Sequence, residues 1–89
     1  MIRTTVSIIN MLGLHARASA KFVATAARFQ SAIEVSKGNQ TVDGKSIMGV
    51  MMLAAPKGCD ITLSVDGPDE KDMTNALVKL INERFGEPQ

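Results

Sequence analysis

The chain has 89 residues, of which 45% are hydrophobic and 21% are charged, and its formal net charge is +1. These values predict one globular domain spanning residues 1–89, with a single core of modest size. The near-neutral charge and the lack of Trp and Tyr argue against nucleic-acid binding, and no apolar run approaches the ~20 residues that cross a bilayer.

The first half of the chain predicts a strand, a helix and a hairpin. β-branched residues over 4–9 favour a strand, and the alanine-rich segment from 16 to about 28 favours a helix with one apolar face. Residues 32–36 and 40–43 alternate at period two. Because Lys37-Gly38-Asn39 lies between them and is typical of a turn, the two segments predict a hairpin.

The second half predicts a helix, a strand and a longer helix. Residues 46–53 form a short apolar helix that Pro56 terminates. Residues 60–66 alternate cleanly and predict a strand, and the last helix begins at acidic residues after Pro68 and stops near Gly86. The order β-α-β-β-α-β-α predicts an α+β two-layer open-faced sandwich, in which a four-stranded antiparallel sheet carries three helices on one face.

The single histidine lies in Gly13-Leu14-His15-Ala16-Arg17, between a glycine turn and the start of the first helix. A helix start has unpaired N–H groups and a partial positive charge, both of which favour a bound phosphate. Taken alone, a lone histidine is most often structural or on the surface. This setting instead indicates that His15 holds a phosphoryl group and that Arg17 stabilises its charge.

These residues resemble HPr, the phosphocarrier family of the bacterial phosphoenolpyruvate-dependent phosphotransferase system. Gly13-Leu14-His15-Ala16-Arg17 carries the resemblance, together with the segment from Gly44 to Leu53, the chain length and the element order. The resemblance implies that enzyme I phosphorylates His15 on Nδ1 and that EIIA domains receive the phosphoryl group. From its place near the backbone, Nδ1 would bring that group to the N–H groups of Ala16 and Arg17.

The short helix carries a candidate regulatory site, which the resemblance implies, and a candidate partner surface, which its apolar residues indicate. Ser46 is expected to cap the short helix, and in some bacteria the HPr kinase/phosphorylase phosphorylates the equivalent serine. Val50 and Leu53 are predicted to face the core. This leaves an apolar surface for partners, rimmed by positive charge and made of Ile47, Met48, Met51 and Met52, with Arg17, Lys21 and Lys45 around it.

Three functions remain as hypotheses at this point. The first is a stoichiometric phosphocarrier for sugar uptake, and the second is a nitrogen-branch paralogue, NPr, that signals through its phosphorylation state. Ala18 stands where many sugar-branch members have proline, so the branch stays open. The third, a small hydrolase, is disfavoured because the sequence shows no second acid or base near His15. The single Cys59 predicts a protein of the reducing cytoplasm, and one cysteine with one histidine predicts no metal site. We also expect a monomer without a cofactor.

Overall fold

A computed structural model describes all 89 residues and contains four strands and three α-helices. The strands are β1 (Ile2–Ser7), β2 (Ala32–Lys37), β3 (Gln40–Asp43) and β4 (Asp60–Asp66). The helices are α1 (Ala16–Ala26), α2 (Ile47–Met52) and α3 (Glu70–Asn82), and a 3₁₀ helix follows at Arg84–Gly86. The predicted α+β class and the predicted order of elements are confirmed.

The four strands form one antiparallel sheet in the order β1-β4-β2-β3. Alternate residues of β4 are buried, and the residues between them face solvent on a polar outer surface. On that surface Thr5 and Thr62 share a hydrogen bond of 3.0 Å, and the Ser7 hydroxyl donates to Asp60 over 2.5 Å. One face therefore carries the helices, as the alternation in the sequence predicts.

A hydrophobic core fills the space between the sheet and the helices. It receives buried apolar side chains from every helix and from β2 and β4, and the partly buried Val6 of β1 and Val42 of β3 pack against it. Its largest fully buried members include Phe22, Phe85, Ile8, Leu53, Ile61, Leu63, Met73, Leu77 and Ile81. No helix of the structure is both long enough and apolar enough to cross a membrane.

Several predicted boundaries were wrong, including both ends of β1, which the sequence placed at residues 4–9. Strand β1 ends at Ser7, although Ile8 still pairs with the loop before β4, donating to the Cys59 carbonyl over 2.9 Å. Helix α1 ends at Ala26 because the next turn tightens: the N–H of Arg28 bonds to the Thr25 carbonyl, three residues back. In an alanine-rich sequence no residue indicates where the helix begins to fray, so its last residue could not be predicted.

The end of α3 differs most from the prediction, because the helix stops at Asn82 rather than near Gly86. Arg84 and Phe85 have positive φ angles of 58° and 55°, which reverse the chain direction. Such angles are unfavourable for residues with a Cβ. The burial of Phe85, which is 1% exposed, and a 2.7 Å hydrogen bond from Lys21 Nζ to its carbonyl offset that cost. The turn directs the last three residues toward α1.

Candidate functional site

The loop before α1 is fixed by a close contact between two stretches of main chain. Gly13 has a φ of +65°, and a Cβ at this position would lie 2.4 Å from the carbonyl oxygen of Ala55. The N–H of Leu14 donates to that same oxygen over 2.9 Å. Only glycine satisfies both the backbone angle and the close approach. His15 follows directly, so this contact sets its position.

Asn10 stabilises the same loop through hydrogen bonds from its buried side chain. Its side chain is buried, and its Nδ2 donates to the Gly13 carbonyl and to Oε1 of Glu87, each over 2.9 Å. The N–H of Gly13 returns a hydrogen bond of 3.2 Å to the Asn10 carbonyl. Asn10 therefore links the loop that carries His15 to the last residues of the chain.

His15 is the N-cap of α1, as the sequence predicts. Its backbone is extended, with φ −76° and ψ −178°, and its Nδ1 accepts a hydrogen bond of 3.3 Å from the N–H of Arg17. A nitrogen that accepts carries a lone pair rather than a proton. The imidazole is 27% exposed, and its N-cap position places Nδ1 at the positive end of the helix.

Glu87 occupies the other side of the imidazole. Its Oε2 accepts a hydrogen bond from Nε2 of His15, and its side chain is only 11% exposed. The expectation that no second acid or base lies near His15 was therefore wrong. The two residues are 72 positions apart, and only the turn at Arg84–Gly86 brings them together. No local pattern in the sequence signals this pairing, nor the role of Asn10.

The carboxyl group of Glu87 is held in its charged form. Burial opposes this, because it removes water from the charge and raises the pKa. Hydrogen bonds from Asn10 and His15, together with electrostatic attraction to His15 and Lys21, outweigh burial and hold the pKa below its ordinary value. At neutral pH the imidazole therefore faces a carboxylate.

Arg17 and Ala16 line the same cleft and have unused donors. The cleft has a volume of about 600 Å³ and is lined by Met11, Leu12, His15, Ala16, Arg17, Glu87, Pro88 and Gln89. The guanidinium of Arg17 is exposed and forms no hydrogen bond or ion pair within the protein. The N–H of Ala16, in the first turn of α1, also has no protein acceptor. These donors are free to bind an anion.

Ser46 caps α2 as predicted, because its Oγ accepts a 3.0 Å hydrogen bond from the N–H of Gly49. Val50 and Leu53 are buried in the core, also as predicted. The remaining side chains of α2 form an exposed apolar surface, here named the α2 patch: Ile47 is 44% exposed, Met48 72%, Met51 39% and Met52 66%. Exposed apolar groups at this density are typical of a surface that contacts partners.

Lys21 and Lys45 have internal partners, which the sequence does not reveal. Lys21 Nζ donates to the Phe85 carbonyl over 2.7 Å, and Lys45 Nζ donates to the Phe29 carbonyl over 2.8 Å. Both lysines therefore satisfy main-chain carbonyls at turns. Of the three basic residues expected around the α2 patch, Arg17 alone has a side chain without a protein partner. No group of three His, Cys, Asp or Glu residues is placed to hold a metal ion.

An open-faced sandwich with an exposed histidine at a helix N-terminus defines a class of small phosphoryl carriers. The family model described as "PTS HPr component phosphorylation site" matches residues 2–83, and the chain belongs to this family. The family consists of phosphocarriers of the phosphotransferase system, which are not catalysts.

Individual relatives are similar to this protein over almost the whole chain. The phosphocarrier protein HPr of Neisseria meningitidis is 55% identical over 87 residues, which is 98% of each chain. An HPr crystal structure from Thermoanaerobacter tengcongensis is 47% identical and superimposes with a TM-score of 0.96 over 100% of both chains. An HPr dimer from the same organism is 48% identical, with a TM-score of 0.78 over 98% of this chain and 100% of that one.

Substitution of two glycines should separate backbone strain from the close contact that fixes the loop. Gly38 also has a positive φ, of 58°, but a Cβ there would meet nothing within 4 Å. Gly38→Ala should cost about 1 kcal/mol of unfolding free energy, whereas Gly13→Ala should cost at least about 2 kcal/mol more, because the Ala55 carbonyl must move. Denaturant unfolding of both variants measures the difference. Equal losses would contradict the proposed fixing contact.

Proposed function

We propose that this protein is the carrier for sugar uptake: phosphorylated enzyme I transfers a phosphoryl group to Nδ1 of His15, and EIIA domains receive it. The proposal includes a single domain that acts as a monomer in the cytoplasm. A similar HPr structure is a dimer, but a monomer leaves the cleft around His15 open to both partners. Relatives from Neisseria meningitidis, Cupriavidus necator and Treponema pallidum are named phosphocarrier protein HPr, which supports the phosphocarrier role in this proposal.

The orientation of Nδ1 is the observation that carries this proposal. Nδ1 presents a lone pair at the start of α1, and its hydrogen bond to the Arg17 N–H, at 3.3 Å, is long. An incoming phosphoryl group can replace it. Once bound to Nδ1, that group would accept from the N–H groups of Ala16 and Arg17 and from the free guanidinium of Arg17.

The nitrogen branch is the alternative, because Ala18 stands where many sugar-branch members have proline and so leaves the branch open. Its side chain is fully buried, on the side of α1 that faces the core rather than the cleft. Alanine in place of proline therefore leaves the donors around His15 unchanged. Expression of this protein in a strain that lacks its sugar-branch carrier distinguishes the two branches. Restored growth on a transported sugar supports the sugar branch. No growth, with normal phosphorylation of the protein, supports the nitrogen branch.

We further propose that partners dock on the α2 patch and that Ser46 regulates docking where an HPr kinase/phosphorylase is present. The patch has exposed methionines, which adapt to unlike partners, and the basic residues Arg17, Lys21 and Lys45 are expected to lie around it. Ser46 is the N-cap residue, immediately before α2. A phosphate there would add about two negative charges beside the patch at neutral pH.

His15→Ala should abolish phosphorylation by enzyme I and phosphoenolpyruvate. The substitution removes a partly exposed side chain and a helix cap, which costs about 1 kcal/mol, so the domain should still fold. Acid-labile, base-stable phosphate measures phosphohistidine, and circular dichroism checks the fold. A folded variant that is still labelled at the wild-type stoichiometry would disprove the assignment.

Arg17→Ala should slow transfer without preventing it, because the main-chain donors remain. Loss of one charge-assisted contact is worth about 1.5–3 kcal/mol, or roughly one to two decades in rate. Arg3→Ala is the matched control, since Arg3 is exposed on the outer face of the sheet. Quenched-flow transfer rates measure the effect. Equal rates for both variants would show that Arg17 does not contact the phosphoryl group.

Ser46→Asp should raise the apparent KM for enzyme I, because it adds a negative charge beside the α2 patch. Ser46→Asn is the control, because asparagine has the same shape as aspartate and can also cap the helix, but it carries no charge. The difference between the two variants should shrink as salt rises above about 0.15 M, where the screening length is about 8 Å. If both variants have the wild-type KM at low salt, partners do not dock on the α2 patch.

A further inference from the structure

We propose that Glu87 is a positioning residue for phosphoryl transfer: it keeps the proton of His15 on Nε2 and offsets the positive charge that the ring gains. The inference rests on the proposed function, because it concerns the same histidine. It starts from the contact between Oε2 of Glu87 and Nε2 of His15, on the side of the ring away from the reacting nitrogen.

Two separate contacts select the same form of the imidazole. The Glu87 carboxylate can only accept, so Nε2 must carry a proton. The Arg17 N–H can only donate, so Nδ1 must carry the lone pair. Neutral imidazole otherwise distributes its proton between the two nitrogens. Glu87 and the start of α1 together leave Nδ1 ready to react.

The carboxylate is itself held in place. Its second oxygen, Oε1, accepts from the buried Asn10 amide over 2.9 Å, and the same amide is anchored on the Gly13 carbonyl. Farther along the tail, the main-chain oxygen of Gln89 accepts from the N–H of Met11 over 3.1 Å. The Asn10 amide and the main-chain bond at Gln89 hold the tail in place, so the Glu87 carboxylate can fix the orientation of the His15 ring. Carboxylates orient catalytic histidines in the same way.

The transfer step balances without any proton movement. The Nδ1 lone pair forms the new N–P bond while the N–P bond of the donor histidine breaks, and the electron pair of the broken bond returns to the donor nitrogen. The proton on Nε2 stays in place, so the ring of His15 becomes a cation beside the carboxylate. When the phosphoryl group leaves for the next acceptor, the N–P electron pair returns to Nδ1 and the ring is neutral again.

The test compares Glu87→Gln with Glu83→Gln, in which the same change falls on an exposed residue four positions earlier. A glutamine at position 87 has one acceptor oxygen for the two donors, Asn10 and His15, and no charge. Replacing a charge-assisted contact with a neutral one costs about 1.4 kcal/mol, so kcat for transfer from phosphorylated enzyme I should fall about tenfold. The KM should stay within about twofold, because Glu87 lies outside the α2 patch.

Ring ¹⁵N chemical shifts provide a second measurement that a merely structural role would not change. In the wild-type protein and in Glu83→Gln they should show the proton on Nε2, and in Glu87→Gln a form with the proton on Nδ1 should appear. A wild-type ring protonated on Nδ1 would overturn the proposal without any variant.

The remaining outcomes separate this inference from the proposed function. If wild-type protein is phosphorylated at His15 but Glu87→Gln keeps the wild-type kcat and ring shifts, Glu87 has no positioning role and the phosphocarrier function stands. A raised KM with an unchanged kcat also overturns the inference, because it assigns Glu87 to docking. If the wild-type protein is not phosphorylated at all, the proposed function fails and the inference fails with it.

Discussion

The contact between the main chain at Gly13 and the carbonyl of Ala55 determines where the histidine lies. The loop approaches Ala55 so closely that a methyl group cannot fit, and Leu14 is hydrogen-bonded to the same carbonyl and is 4% exposed. Because Leu14 is held in the core, the next residue must lie at the surface where α1 begins. The cap, the orientation of Nδ1 and the approach of Arg17 all follow from that placement.

The histidine site combines groups from the two ends of the chain. His15 and Arg17 come from the start of α1, whereas Glu87 arrives from the tail through two residues with unfavourable backbone angles. That strain, of order 1 kcal/mol or more for each residue, is offset by the burial of Phe85. The surroundings of the imidazole therefore depend on the core as much as on the loop that carries it.

The sequence predicts those features that depend on local periodicity. Alternation located β4 and the hairpin around Gly38, and the apolar pattern of the short helix located the buried positions Val50 and Leu53. Helix propensity after His15 located the cap. The contact with Glu87 could not be predicted, because it needs positive φ angles at Arg84 and Phe85, residues whose propensities disfavour such a turn. The internal partners of Lys21 and Lys45 depend on packing between distant elements, which periodicity does not encode.

The strand order has a consequence for how the chain acquires its structure during synthesis. Strand β1 lies at the edge of the sheet, and its single partner is β4, with Ile2 paired to Val65 and Ser7 to Asp60. The hairpin of β2 and β3 can form as soon as it is made, but β1 has no neighbour until the chain extends through Asp66. Pairing over such a separation requires the slow closure of a long loop. Strand β1 is therefore made before its partner and cannot join the sheet until the chain through Asp66 has been translated.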